Sequence, residues 1–234
     1  MESYPAGGMA AVIGSSGAMG GALADRLEAS GRFSRVMRLS RRSDPALDIT
    51  DEATIEAAAA HLKSTGLPLR LVIDATGFLH GAGFMPEKSI RQIDPVHMAR
   101  AFAINAIGPA LLMKHFLPLL AREGKSAFAT LSARVGSISD NRLGGWHAYR
   151  ASKAALNQLV RTASIELARK NPGAVCVALH PGTVESPLSA PFAKAGLDVR
   201  PPEVAAADLL GVIDALTPEH SGGLYDHRGL SIGW

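Results

Sequence analysis

At 234 residues, 47% hydrophobic and 19% charged, the chain suits one α/β domain that buries about three quarters of its unfolded surface. Its net charge of +3 comes from scattered Lys and Arg among few aromatics, which argues against the basic, aromatic-interleaved surface that binds nucleic acid. No apolar run reaches the ~20 residues of a bilayer span, residues 1–8 lack the basic start of a signal peptide, and one cysteine allows no intrachain disulfide. A reducing, cytoplasmic setting with no nucleic-acid or membrane partner is therefore expected.

In chain order, an apolar strand is predicted at 9–13, followed by Gly14-Ser15-Ser16-Gly17-Ala18-Met19-Gly20 running into a helix at 20–29. A second strand, 35–39, ends on Leu39-Ser40-Arg41-Arg42, and Asp48-Ile49 leads to a helix at 51–65. A third strand at 69–75 runs into Thr76-Gly77, and a long helix at 94–121 carries Asn105. The fourth strand, 126–131, meets Ser132-Ala133-Arg134-Val135-Gly136, and a helix at 146–170 carries Tyr149-Arg150-Ala151-Ser152-Lys153. The fifth strand, 174–179, holds Cys176 in an apolar run that reads as a buried, inert thiol. After Pro181-Gly182-Thr183-Val184 comes an aperiodic stretch, 186–200, read either as a substrate-covering lid or as a plain surface loop. Pro201-Pro202-Glu203 opens a helix at 202–216, and a last strand lies at 223–226.

This alternation specifies an α/β fold: a single Rossmann-type, doubly wound parallel sheet with helices on both faces, spanning 1–234 as one domain. Ligands bind such sheets outside the carboxyl ends of the strands. The residues just after Ile13, Leu39, Asp74, Leu131 and Leu179 are therefore the ones to read for chemistry.

After the first strand, glycines let the backbone turn sharply and approach a pyrophosphate at a helix N-terminus. Gly14, Ser16, Gly17, Met19 and Gly20 are the candidate contacts, spaced Gly-x-x-Gly-x-x-Gly rather than Gly-x-Gly-x-x-Gly. An acidic residue after the second strand would hold the ribose 2′-hydroxyl of NAD and repel a 2′-phosphate. Here stand Ser40, Arg41 and Arg42, and guanidinium groups take phosphate bidentately. The expected cofactor is NADP(H) in preference to NAD(H), with Asp48 against the adenine edge. Tyr149 and Lys153 lie one helical turn apart on one face. A nearby ammonium favours the phenolate, so Lys153 is expected to lower the pKa of Tyr149 from its usual ~10 and to grip the nicotinamide ribose.

With Gly14, Gly17 and Gly20, Gly77, Asn105, Ser132, Tyr149-x-x-x-Lys153 and Pro181-Gly182-Thr183-Val184, the chain resembles the short-chain dehydrogenase/reductase family over nearly its full length. The ending Ser221-Gly222, Asp226-His227-Arg228-Gly229 and Trp234 is also similar. Gly77-Phe78-Leu79-His80, Gly136-Ser137-Ile138 and Tyr149-Arg150-Ala151-Ser152-Lys153-Ala154-Ala155 resemble its C-factor-type branch. The resemblance implies NADP(H)-dependent hydride transfer between a small carbonyl and an alcohol. In it Tyr149 is the general acid, Lys153 its partner, a serine holds the substrate oxygen, and Asn105 keeps a water that links Lys153 to solvent. Ala75, Thr76 and Gly77 would lie beneath the adenine, with Pro181, Gly182, Val184 and Ser186 along the nicotinamide, and no metal is implied.

Two departures stand out. The usual Asn-Asn-Ala-Gly stretch reads Asp74-Ala75-Thr76-Gly77, and the usual catalytic serine falls on Ala133. One residue of slip on an extended strand reverses the side chain's face, so Ser132, Ser137 or no serine serves, with Ser132 preferred. His80, Trp146 and His147 are candidates for the substrate mouth. A cofactor-binding signalling protein with little turnover is the alternative function. A sugar-nucleotide epimerase shares the Tyr and Lys but normally carries a larger C-terminal domain. Surplus apolar residues on the two long helices, such as Leu111, Leu112, Phe116, Leu156, Leu159 and Ile165, point to a helix-paired homodimer or homotetramer.

Overall fold

In this computed structural model, residues 1–81, 83–192 and 198–234 are described. Their strands are β1 (Met9–Ile13), β2 (Arg35–Leu39), β3 (Leu69–Asp74), β4 (Ser126–Leu131), β5 (Ala174–His180), a short pair β6 (Thr183–Val184) and β7 (Val199–Arg200), and β8 (Leu224–Asp226). Six of them form one parallel sheet in the order β2-β1-β3-β4-β5-β8, so chain order reverses between β1 and β3. The central strands β1 and β4 are buried along their whole length, because a sheet covered on both faces needs apolar residues on both. At the edge, β2 alternates, with Arg35 exposed and Met37 and Leu39 buried.

The helices are α1 (Ala18–Ala29), α2 (Glu52–Ser64), α3 (Pro95–Phe102), α4 (Gly108–Phe116), α5 (His147–Lys170) and α6 (Pro202–Ala215). Leu23 and Leu27 of α1 and Leu209 and Ile213 of α6 pack with Val12, Ile73 and Val177 on one face. On the other, Ile55 and Leu62 of α2, Phe116 of α4, and Leu156 and Val160 of α5 pack with Ile13, Leu39 and Phe128. Cys176 belongs to this second core, and burial pushes its thiol up to about 12. Local chemistry fixes the helix starts. Asp51 accepts from the Ala53 N–H ahead of α2, and Asp94 accepts from the His97 N–H ahead of α3, where Pro95 needs no N–H partner.

The single helix expected at 94–121 is instead α3, a π turn at Ala103–Ile107, α4 and a short 3₁₀ turn at Leu117–Leu119. Pro109 has no N–H to return to the carbonyl of Asn105, four residues back, and the helix widens just there. This composite helix, Pro95–Leu119, spans 25 residues, and its most apolar 18-residue window has a mean hydropathy of 1.3, enough by length and composition to cross a bilayer. It is not an unbroken apolar run, since His97, Arg100, Asn105 and Lys114 interrupt it. Its charged residues mask the apolar content when only unbroken runs are counted. Here Leu112, Met113 and Phe116 are buried against the sheet. The aperiodic segment 186–200 ends in β7, which pairs with β6 in the register Thr183↔Val199 and Val184↔Arg200. Residues 193–197 of that candidate lid lie outside the described residues.

Candidate active site

The glycine bend rests on its neighbours on both sides. Gly14 and Ser15 donate their N–H groups to Leu39 O at the end of β2, at 2.9 and 3.2 Å. Gly14 has φ +79°, and a Cβ there would press on the Ala75 backbone and Thr76 at 3.1–3.2 Å. At Gly20 a Cβ would lie 2.2 Å from Gly14 O, so only glycine lets α1 start this close to the turn. Gly17 occupies the N-cap of α1 and no side chain caps it, which leaves first-turn N–H groups facing outward. Ser16 and Gly17 are exposed beside them, and Met19 is half-buried against the core. A cradle of this shape, closed by glycines and open at a helix N-terminus, fits a dinucleotide pyrophosphate.

At the end of β2 three arginines divide into two kinds. Arg38 is tied to Asp25 and Glu28 of α1. Arg41 and Arg42 are exposed and form no ion pair among the described residues. The buried Ser40 hydroxyl accepts from the Arg42 N–H at 3.2 Å, which shapes the turn that presents them. Asp48 holds Thr50 through its N–H and hydroxyl at 2.9 and 2.7 Å, and these bonds keep its carboxyl below the usual range.

Asp74, a departure noted from the sequence, proves to be an organising residue. Fully buried at the end of β3, it accepts from Thr76 N–H and Oγ and from Thr130 Oγ of β4, at 3.0, 2.6 and 2.7 Å. It thus fixes the Ala75-Thr76 shelf under Gly14 and bridges two strand ends. Burial raises its pKa.

Next to that shelf, the π turn carries Asn105 inward. Its Oδ1 accepts from Phe78 N–H at 2.8 Å, and its Nδ2 donates to Phe78 O at 2.7 Å and to Ser152 Oγ at 3.1 Å. The side chain is spent pinning the turn after Gly77. A Cβ built on Gly77 would fall 3.9 Å from Asn105 Oδ1 and 4.0 Å from Lys153 Nζ, so all three residues meet. Lys153 donates to Leu131 O at 2.7 Å. Burial pulls its ammonium down to about 8, with Asp74 working the other way.

Tyr149, one turn earlier, is half-buried, and Lys153 Nζ lies 6.0 Å from its ring centroid. The expected lowering of the phenol is corrected: burial pushes it up to about 12. Desolvation of the phenolate outweighs a charge at that distance whose proton already goes to a carbonyl. The serine question also has an answer in the hydrogen bonds. Ser132 donates to Asn157 Oδ1 of α5 at 2.7 Å and is 4% exposed, so its hydroxyl is turned into the β4–α5 packing. Ser137 donates to Gly233 O and accepts from Asp140 N–H. Ala133, extended at φ −147° and ψ 147°, occupies the intervening position with only a methyl group.

Around Tyr149 runs an aromatic chain. Trp146 meets it edge-on at 6.1 Å, Phe192 meets Trp146 at 5.0 Å, and His80 meets Phe192 at 5.5 Å. His80 Nε2 reaches the carbonyls of Pro187 and Leu188 at 3.2 and 3.1 Å, so it tethers the 186–192 turn. His147 opens α5 and is half-buried. Phe192 was not singled out from the sequence because nothing periodic marks it. Pro181 and Gly182 follow β5, and Val184 is buried in β6. Ser186 Oγ donates to Val184 O at 3.3 Å and caps Ser189 N–H, so it begins the local turn.

A doubly wound parallel sheet with a glycine cradle after its first strand and a Tyr–Lys helix at its carboxyl edge defines an oxidoreductase of the dinucleotide-binding kind. The chain belongs to the short-chain dehydrogenase/reductase family. The family model described as Enoyl-(Acyl carrier protein) reductase matches residues 14–201. The chain is 39% identical over 146 residues to C-signal of Myxococcus xanthus, covering 62% of this chain and 84% of that one. It is 35% identical over 191 residues to 1-hydroxy-2-glutathionyl-2-methyl-3-butene dehydrogenase of Rhodococcus sp. (strain AD45), covering 82% and 80% respectively. Among solved structures, NADPH-bound carbonyl reductase from chicken fatty liver superposes with a TM-score of 0.86 at 25% identity, covering 98% of this chain and 95% of that one.

Proposed function

We propose that the chain is an NADP(H)-dependent reductase that interconverts a small carbonyl compound and its alcohol. The observation that carries this reading is the convergence of Tyr149, Lys153, Asn105 and Gly77 at the edge of a glycine cradle flanked by two exposed arginines, Arg41 and Arg42. The NADPH named for the chicken carbonyl reductase supports the cofactor choice. Gly14, Ser16, Gly17, Met19 and Gly20 would receive the pyrophosphate, with Ser40, Arg41 and Arg42 at the 2′-phosphate. Asp48, Ala75, Thr76 and Gly77 would flank the adenosine, with Pro181, Gly182, Val184 and Ser186 along the nicotinamide.

NADPH, when bound, supplies the hydride. Tyr149 stays a phenol at neutral pH and donates its proton to the substrate oxygen. Lys153 offers its remaining N–H bonds to the ribose and places positive charge behind the phenol. Asn105 keeps Phe78, and with it the Gly77 turn, in place. Trp146, Phe192 and His80 exclude water from one side, and His80 ties the turn at 186–192 beside them. The test is oxidation of NADPH by the purified protein with small aldehydes and ketones. Binding of NADPH without turnover would favour the signalling alternative.

Ala133 leaves the substrate oxygen short of one donor, so turnover is expected to be slow. Ala133→Ser is expected to raise kcat up to about 100-fold, the lower end of what one oxyanion donor contributes. An unchanged rate would mean that the oxygen is not held from the β4 side. Outside the site, α4 and α5 present a groove lined by Ala110, Met113, Leu117, Leu159 and Ala163. We assign this face to a helix-paired dimer or tetramer, to be checked by light scattering as a multiple of the 24.4 kDa chain.

A further inference from the structure

The catalytic helix α5 has no cap of its own. Trp146, the residue before it, lies in the left-handed region at φ 52° and ψ 44°, and no side chain from the helix's own start accepts its first N–H groups. Helices ordinarily place Ser, Thr, Asp or Asn there. In this chain the acceptor arrives from the segment between β3 and α3. Glu87 takes the Trp146 N–H on its main-chain carbonyl and the Ala148 N–H on both carboxyl oxygens, at 3.3 and 3.2 Å.

The arrangement is enclosed and specific. The Glu87 side chain is 1% exposed and His97 Nδ1 of α3 stands 3.5 Å from its Oε1. Phe84 stacks flat on the His97 ring at 5.0 Å, and Phe78 meets the ring edge-on at 5.8 Å. Asn105 holds that same Phe78 by its backbone. A buried carboxyl is costly unless its oxygens are matched, and here they are spent on the helix that carries the proton donor. Tyr149 is the third residue of α5, within the turn that would fray without a cap. Lys153, one turn deeper, is secured separately to Leu131 O.

We propose that Glu87 is the cap of α5, supplied from outside the helix. Through it, the loop after β3 sets the position of Trp146 and Tyr149. It is a positioning residue, and its effect on rate rests on the reading of Tyr149 as proton donor. Glu87→Ala is expected to lower kcat about 100-fold, the cost of a misplacement near 1 Å, while KM and the Kd for NADPH stay within about twofold. Glu87→Gln keeps an acceptor oxygen and is expected to recover about tenfold of that loss. In a Trp234→Phe background, where Trp146 is the remaining tryptophan, its emission shifts in Glu87→Ala and returns toward the parent in Glu87→Gln. A folded Glu87→Ala protein with parental kcat and emission would overturn the proposal, as would parallel loss of kcat and NADPH binding. If Glu87→Ala fails to fold, Glu87→Gln and its emission decide alone. If the parent protein reduces no carbonyl, the functional reading fails while the emission comparison still tests the cap.

Discussion

Tyr149→Phe is expected to cut NADPH-dependent carbonyl reduction by about 10³-fold, within the range of a lost general acid. The substitution removes one oxygen and leaves the ring, so the edge contact with Trp146 persists and NADPH should still bind. The Kd for NADPH, followed by cofactor fluorescence, is expected to stay within about threefold of the parent, since only transition-state stabilisation is removed. Turnover that survives the substitution would assign the proton donor elsewhere. The pH profile supplies a second check. Burial keeps the Tyr149 phenol protonated up to about 12, so it does not limit reduction at neutral pH. Lys153 carries its proton only up to about 8, because burial disfavours the ammonium. The rate of reduction is therefore expected to fall as pH rises through about 8, the direction in which the charge behind the phenol is lost.

The paired substitution Arg41→Ala and Arg42→Ala is expected to weaken NADPH binding about 10²–10⁴-fold while leaving NADH nearly unchanged. Each guanidinium on a phosphate contributes on the order of 1.5–3 kcal/mol, and 1.4 kcal/mol is a factor of ten. Both side chains are exposed and neither is engaged in an ion pair among the described residues, so their removal costs the fold little. Titration of each variant with both dinucleotides gives the ratio directly. A ratio equal to the parent's would place the phosphate elsewhere.

The sheet and the glycine cradle were readable because each depends on local sequence. β1, β2 and β4 fall on their expected bounds, since continuous apolar runs or clean alternation mark buried and edge strands. The Tyr149–Lys153 spacing was readable for the same reason, through helix periodicity alone. What could not be read depends on partners distant in the chain. Ser132 looked available until Asn157, 25 residues on, proved to hold its hydroxyl. Glu87 carries no motif, and its role exists only because α5 begins against it. The Tyr149 phenol was expected to fall beside Lys153, but spacing says nothing about how far protein packing has stripped water from the ring. Asp74 was visible as an oddity, and its meaning came from Thr130 on the adjacent strand.

On the proposed cofactor reading, the two carboxylates that occupy Arg38 bear on ligand discrimination. Because Asp25 and Glu28 cancel that charge, the electrostatic pull at the end of β2 is two-pronged, and its strength is tuned from α1 rather than from the turn itself. Neutralising both acids would unmask a third cation just upstream of Ser40. On the proposed NADP(H) reading, selectivity for a phosphorylated ribose would be sharpened or blunted from a helix face that need never touch the ligand.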